Sequence, residues 1–544
     1  MKGHKEETAL GQNADLKDLI EIGIALSSEK NTNKLLQKIA TAARRVSRAE
    51  GVTVYICSED QKRLIFAVVQ NEKLDPSFTN DVASTIWPHI NLYHEDGTEN
   101  HNNVSANCAL TGKAVSIGDV YHEEGYDFSG TREFDKKSQY HSKSMLLIPM
   151  SDHQGDVIGV LQLLNCKSES GKEIIPFPAS LIEIITGLAS QAAIALTNVR
   201  LVNQTEHLLK SFVKAIAYAI DEKSPYTAGH IARVVQITEN LAKAIHASNS
   251  EPFQHVTFSP DELEEIRLAA WLHDIGKIAT PQFIVDKATK LETVVDRIEL
   301  IRLRLEILKR DIEFDRLKRD DFAAAPEKNA DSGSPLPQMQ SEVLESIDAF
   351  LLEINRGQEF LRDDEIRRVK ELAELSVNVQ GVTTPLINES EIECCMIRKG
   401  TLTEREREII NRHAIITNEM LSQLPFPKKW QRVPEYAGSH HEKLDGSGYP
   451  VGLTGENISI PVRIIAIADI FEALTAPDRP YKTGLKLSKA VKILEYMARD
   501  NQLDRDICDL LMEQGIALAY ARINLPLKQL DGYCWKGNQY DVVI

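Results

Sequence analysis

The chain has 544 residues, 42% of them hydrophobic and 26% charged, with a net charge of -17. This length exceeds one hydrophobic core, so two or three domains are expected, and the composition is that of a globular protein. The acidic balance excludes a general binder of nucleic-acid polymers, which needs a basic face, but not a small phosphate ligand at a metal site. The seven cysteines form no CxxC pair, so a zinc ribbon or redox motif is not expected, and free thiols in a reducing cytoplasm are.

Residues 1–13 are polar, read as disordered, and lack the apolar core of a signal peptide. Leu16, Leu19, Ile20, Ile24, Leu35, Leu36 and Ile39 recur at helical spacing. Strand-type runs follow at Val52–Ile56, Leu64–Val69, Met145–Met150 and Val157–Leu164, the last two joined by the turn Asp152-His153-Gln154-Gly155. Helix, strands, hairpin and closing helix predict an α+β domain over 14–180. Leu181 to Lys214 then reads as one connecting helix over 181–214. Its most apolar run, Leu181–Leu196, contains Glu183, Ser190 and Gln191 and falls short of the ~20 residues of a membrane span, so no membrane is expected.

Within 14–180, Gly112-Lys113-Ala114-Val115, Asp119-Val120-Tyr121, Phe134-Asp135, Ser144–Met150 and Val157–Asn165 resemble a GAF domain. The stretch Arg132–Ser138 is similar to the part of phosphodiesterase GAF domains that lies near a bound cyclic nucleotide. The resemblance implies a sensor for a small-molecule ligand of unknown identity. A helix leaving such a domain implies a homodimer.

The second half, 215–525, reads as all-α. A helix begins at His230, and Leu268–Leu272 lead into His273-Asp274-Ile275-Gly276-Lys277. Residues 286–398 interrupt. Leu291, Val294, Ile298, Ile301, Leu305, Leu308 and Ile312 step by three and four, and Leu344, Ile347, Leu351, Ile354 and Leu361 form a second stripe. This predicts a long helical-hairpin insertion. Thr403 then caps a helix carrying His413, followed by His440-His441-Glu442, the turn Asp445–Pro450 and the apolar run Arg463–Asp469. Residues 526–544 read as a C-terminal tail.

His230, His273, Asp274, His413, His440, His441 and Asp469 all lie on or at the ends of apolar helices, where unpartnered polar groups are costly. Seven such ligands suffice for two metal ions bridged by Asp274, an arrangement suited to phosphodiester hydrolysis. Imidazole and carboxylate without Cys favours Fe, Mn or Zn over Mg or Ca. Lys277 supplies positive charge for a phosphate.

His273-Asp274-Ile275-Gly276-Lys277, Arg412-His413, His440-His441-Glu442, Asp445-Gly446-Ser447-Gly448-Tyr449-Pro450, Ala468–Thr475 and Arg479-Pro480-Tyr481-Lys482 resemble an HD-GYP domain. That resemblance implies a cytoplasmic phosphodiesterase with two divalent ions, iron or manganese, cleaving cyclic di-GMP to pGpG or GMP. His273, Asp274 and Lys277 would be catalytic. Lys277, Arg479 and Lys482 would hold phosphates, and Gly448 and Tyr449 would line the base or sugar. Family members with three metals carry a Glu four residues before the first His; Tyr226 stands there, so two metals are expected. A cyclic GMP-AMP substrate is an alternative. So is a non-hydrolysing receptor whose Gly-Tyr-Pro loop contacts a diguanylate cyclase.

Overall fold

The computed structural model describes residues 22–73, 88–223, 229–322, 341–357, 360–477 and 484–541. Chain contacts divide it into Met1–Leu208 and Leu209–Ile544.

The first unit is built on an antiparallel sheet. Its elements are α1 (Thr32–Ser47), β1 (Ala49–Cys57), β2 (Arg63–Asn71), β3 (Ile90–Asn91), α2 (Val104–Thr111), β4 (Val115–Ile117), α3 (Ser129–Ser138), β5 (Met145–Ser151), β6 (Val157–Lys167) and β7 (Ile174–Ile175). The strand order is β3-β2-β1-β6-β5-β4, with β7 beside β6. Alternation along the strands serves both faces. Val52, Val54, Leu146, Ile148, Leu161 and Leu163 pack on α1 and on the start of α4 (Ala179–Lys223). Tyr55, Cys57, Met145, Leu147 and Val160 turn the other way, onto α2 and its flanking loops. The cap of α1 is Asn31, whose side chain accepts from Lys34 N.

Helix α4 is longer than the expected 181–214. By length and composition it is one that could cross a membrane. Its apolar residues Ile185, Leu188, Ala192 and Leu196 are nevertheless buried in the core of the first unit.

In the second unit, α5 (His230–His246), α6 (Pro260–Leu272), α13 (Val433–Gly438), α14 (Ile460–Thr475), α15 (Leu487–Arg499), α16 (Arg505–Glu513) and α17 (Ile516–Asn524) enclose one core. Between α6 and α13 lie the short α7 (Gln282–Val285), α8 (Ile298–Phe322), α9 (Ser341–Asn355), α10 (Asp363–Ala373), β8 (Ser376–Val379), β9 (Val382–Pro385), α11 (Glu389–Cys395) and α12 (Glu404–Ser422). The capping box of Ser259 and Glu262 starts α6, and that of Thr403 and Glu406 starts α12.

Three expectations are refined by the structure. Among the described residues of the helical half 215–525, one short strand pair, β8 with β9, stands inside the insertion; beyond that half β10 (Tyr533–Trp535) pairs with β11 (Asn538–Tyr540). The segment expected as a C-terminal tail, 526–544, folds back in its described part, with Tyr533 and Trp535 buried in the main core. Segment 286–398 is more than a hairpin: α8 and α9 share a separate core with Val369, Leu372, Val377, Leu386 and Ile387 from α10, β8 and the approach to α11. Val294, assigned to the first stripe, precedes α8 and is exposed.

This segment leaves and rejoins the domain at one place. Thr401 Oγ1 donates to Lys287 O at 3.1 Å, and Lys287 Nζ pairs with Glu406 at 2.7 Å. Lys290 Nζ donates to Ile397 O at 2.7 Å.

Candidate metal centre

The seven nominated ligands converge. His230 begins α5, His273 follows α6, Asp274 opens a short 3-10 turn (Ile275–Ala279), His413 lies in α12, His440 and His441 follow α13, and Asp469 lies in α14. Ligand atoms lie within 4.8 Å of one another in three sets: His413, His440 and His441; His230, His273 and Asp469; His273, Asp274 and His440.

Asp274 stands between them. Its Oδ2 is 3.5 Å from His230 Nε2 and 3.3 Å from His273 Nε2. Its Oδ1 is 3.5 Å from His413 Nε2 and 4.0 Å from His440 Nε2. Asp469 Oδ1 lies 3.4 Å from His230 Nε2 and 3.9 Å from His273 Nε2. One carboxylate oxygen therefore faces each group of imidazoles.

The local folding of three histidines explains their aim. The Nδ1 of each bonds the carbonyl three residues earlier: His273 with Ala270 O at 2.8 Å, His413 with Ile410 O and His440 with Ala437 O, both at 2.6 Å. That leaves each Nε2 as the bare ring nitrogen, the tautomer a metal ligand needs. His273 Nε2, His413 Nε2, His440 Nε2 and Asp274 Oδ1 are buried with no hydrogen-bond partner. Four orphaned acceptors facing one another fit a cationic guest and little else.

The electrostatics agree. Burial would raise the Asp274 carboxyl, but Lys277 and His273 outweigh it and hold it well below the usual carboxylate range. Burial likewise opposes ionisation of Asp469, and the hydrogen bond and charge of His230 win. Burial keeps His440 neutral, as it does His413, and pushes His441 down to about 3. For His230, burial is outweighed by Glu472, with Asp274 and Asp469 adding to it, and the ring holds a proton well above the ordinary range. A metal cation would take that proton's place among the same carboxylates.

Two helices meet through paired doublets at i,i+3. His230 and Arg233 on α5 face Asp469 and Glu472 on α14. Glu472 is fully buried; its Oε2 pairs with His230 Nδ1 and its Oε1 accepts from Arg233 Nε at 2.7 Å. Glu472 stood in the sequence motif without a role; its i,i+3 spacing from Asp469 was the available signal. Glu442 was missed in the same way. It is buried and accepts from Val451 N at 2.7 Å, Gly452 N at 3.0 Å and Leu453 N at 2.8 Å, closing the Gly-Tyr-Pro loop over itself.

Lys277 Nζ donates to Asp274 Oδ2 at 2.6 Å. Tyr449 leans on His441 with ring centroids 4.6 Å apart and is partly exposed. Gly448 has a packing reason for being glycine: a Cβ there would meet Lys443 N at 2.4 Å and His441 O at 2.6 Å. Gly276 is tighter, with a Cβ only 2.0 Å from His413 O. Thr417 ties the same junction, accepting from Gly276 N at 3.0 Å and donating to His273 O at 3.1 Å. Arg479, Lys482 and Tyr226 lie outside the described residues.

The first unit holds a cavity of about 580 Å³ between its sheet and α2 and α3. Asn71, Asn91, Asn100, Asn103 and Gln162 line it over a floor that includes Phe66 and Met145. Phe134 lines it too. Asp135 instead faces inward, accepting from Ser142 N and Oγ, both at 2.8 Å, and from Tyr121 OH at 2.9 Å.

Comparison with known proteins agrees with this division. The GAF-domain family model matches residues 31–196, and two HD-domain models match 227–348 and 363–507. The chain is 42% identical over 118 residues to "3'3'-cGAMP-specific phosphodiesterase 1" of Vibrio cholerae, covering 22% of this chain and 26% of the relative. It is 36% identical over 146 residues to "Cyclic di-GMP phosphodiesterase response regulator RpfG" of Xanthomonas campestris pv. campestris, covering 26% and 37%. The matches thus span between about a quarter and two fifths of these relatives' lengths. Among solved structures, the GAF domain/HD domain protein from Geobacter sulfurreducens aligns with a TM-score of 0.25 at 15% identity, covering 32% of this chain and 98% of that one. The chain carries a GAF domain followed by an HD domain.

Proposed function

We propose that this GAF- and HD-domain chain is a phosphodiesterase of the HD-GYP type that hydrolyses cyclic di-GMP to pGpG or GMP. The observation that carries the reading is Asp274, one oxygen turned to His230 and His273 and the other to His413 and His440, with the Nε2 of His273, His413 and His440 buried and without a hydrogen-bond partner. His230, His273, Asp274 and Asp469 would hold one divalent ion, and Asp274, His413, His440 and His441 a second, with iron or manganese suited to these donors. Such a pair, when bound, supplies Lewis acidity at a phosphodiester and acidifies the attacking water.

The chain's own groups do the rest. Lys277 stands beside Asp274, where its ammonium can turn to a phosphate oxygen. Tyr449 offers a ring face for a base. Glu442 fixes the loop that presents that ring. Arg479 and Lys482 are the further phosphate partners implied by the motif. The amide-rich cavity of the first unit suits a polar small-molecule ligand as the regulatory signal. Exposed Ile194, Leu201, Val202, Leu208 and Phe212 on α4 suit a homodimer contact. We place the enzyme in the cytoplasm.

A cyclic GMP-AMP substrate is the second reading, favoured by the match to the Vibrio cholerae relative. The test is incubation of anaerobically prepared, iron- or manganese-loaded protein with each cyclic dinucleotide, followed by chromatography. Turnover of cyclic di-GMP is expected. Turnover of cyclic GMP-AMP alone would transfer the mechanism to that substrate, and metal-loaded protein inert toward both would refute the reading.

A further inference from the structure

Three carbonyls at the end of the 3-10 turn after Asp274 converge on one side chain from another helix. Lys223, the last residue of α4, places Nζ 3.0 Å from Lys277 O, 2.7 Å from Ile278 O and 2.8 Å from Thr280 O. An ammonium has three protons, and here each has an acceptor. Two residues earlier, buried Asp221 accepts from Gly229 N at 3.2 Å, just ahead of His230. The last turn of α4 therefore holds the backbone just ahead of His230 and just after Asp274. Ile220, Asp221, Lys223, Asp274 and Lys277 together line a small cavity at this junction.

We propose that Lys223 is a positioning residue that fixes the turn carrying Lys277, so that the register of α4 sets where the phosphate-facing ammonium stands. Its substrate half rests on the phosphodiesterase reading. The geometry makes the tie abrupt rather than graded. Hydrogen bonds of this kind tolerate a few tenths of an ångström, whereas one residue of helix register moves Lys223 by ~1.5 Å along the axis. A shift of that size would release all three carbonyls together. Helix α4 runs unbroken from Ala179, in the GAF half of the sequence, so it can carry such a shift.

The test uses Lys223→Met, which keeps the stem and removes the donors, and Lys223→Arg, which keeps the charge. Hydrogen exchange of full-length protein should show amides 276–280 exchanging on the order of tenfold faster in Lys223→Met and near wild type in Lys223→Arg. The kcat/KM of the metal-loaded enzyme should fall on the order of tenfold, with metal content unchanged and little further loss when Lys277→Ala is already present. Losses that add across the two sites, or unchanged protection of 276–280, would overturn the proposal. If wild-type protein turns over neither dinucleotide, the phosphodiesterase reading fails by itself and the exchange result alone decides the tie.

Discussion

Glu472→Gln tests the centre at its most buried support. The substitution keeps shape and removes one charge from a side chain with no exposure, paired with His230 Nδ1 and with Arg233 Nε at 2.7 Å. Burial would raise this carboxyl, yet His230 and Arg233 hold it below the usual range, so the folded protein relies on its charge. Removing one partner of a buried ion pair costs ~3–5 kcal/mol. For a unit this large that is ~6–10 °C at ~2 °C per kcal/mol. The second effect is on metal: without the carboxylate, His230 loses the partner that orients its ring, and affinity should drop ~10–100-fold. Thermal unfolding of chelator-treated protein measures the first term and calorimetric titration with Mn²⁺ the second. A variant that melts within about 2 °C of wild type and binds Mn²⁺ equally well would refute the argument that Glu472 organises the centre.

Two other sites give sharp expectations. Gly276→Ala should abolish metal binding and lower soluble yield, because its Cβ would stand 2.0 Å from the His413 carbonyl and that backbone carries a candidate ligand; metal analysis and circular dichroism check it. Glu406 is opposed by burial but held low by Lys287 and by the Thr403 amide, so its stabilisation is present above the unfolded carboxyl value of 4.5 and is lost as pH falls through the lower folded value. Wild type should therefore melt above Glu406→Gln at pH 7 by an amount worth ~3 kcal/mol, and the gap should close toward pH 3; a gap independent of pH would contradict the pairing.

The cluster of candidate ligands was legible because metal chemistry demands scarce residue types on apolar helices. His273, Asp274, His413 and Asp469 are conspicuous beside Leu272, Ile275, Ala414 and Ala468. The strands of the GAF domain were legible because Val52–Ile56 is rich in β-branched residues and Val157–Leu164 is an apolar run set off by a turn. What could not be read were contacts between distant positions. Nothing near Lys223 marks it as a cap for residues 277–280, and Glu472 finds His230 only once α5 and α14 are packed. Short strands such as Ser376–Val379 and Tyr533–Trp535 carry too few alternations to stand out from the loops around them. Lys277, read as a phosphate ligand, is paired with Asp274 in the structure, which only the turn geometry reveals.

The junction at Lys287 and Thr401 bears on how the chain reaches this fold. The two ends of segment 286–398 come together, with Lys290 bonded to Ile397 and Lys287 to Thr401 just beyond, and the segment fills a core of its own. To the rest of the domain it is a closed loop. The entropic cost of closing a flexible loop rises only as the logarithm of its length, ~0.6 kcal/mol per doubling. A shorter or longer segment would change the assembly of the His273 and His413 helices by about that much. The spacing between these two histidines is thus nearly free to drift, while Gly276 and Thr417, which set their contact in space, are not.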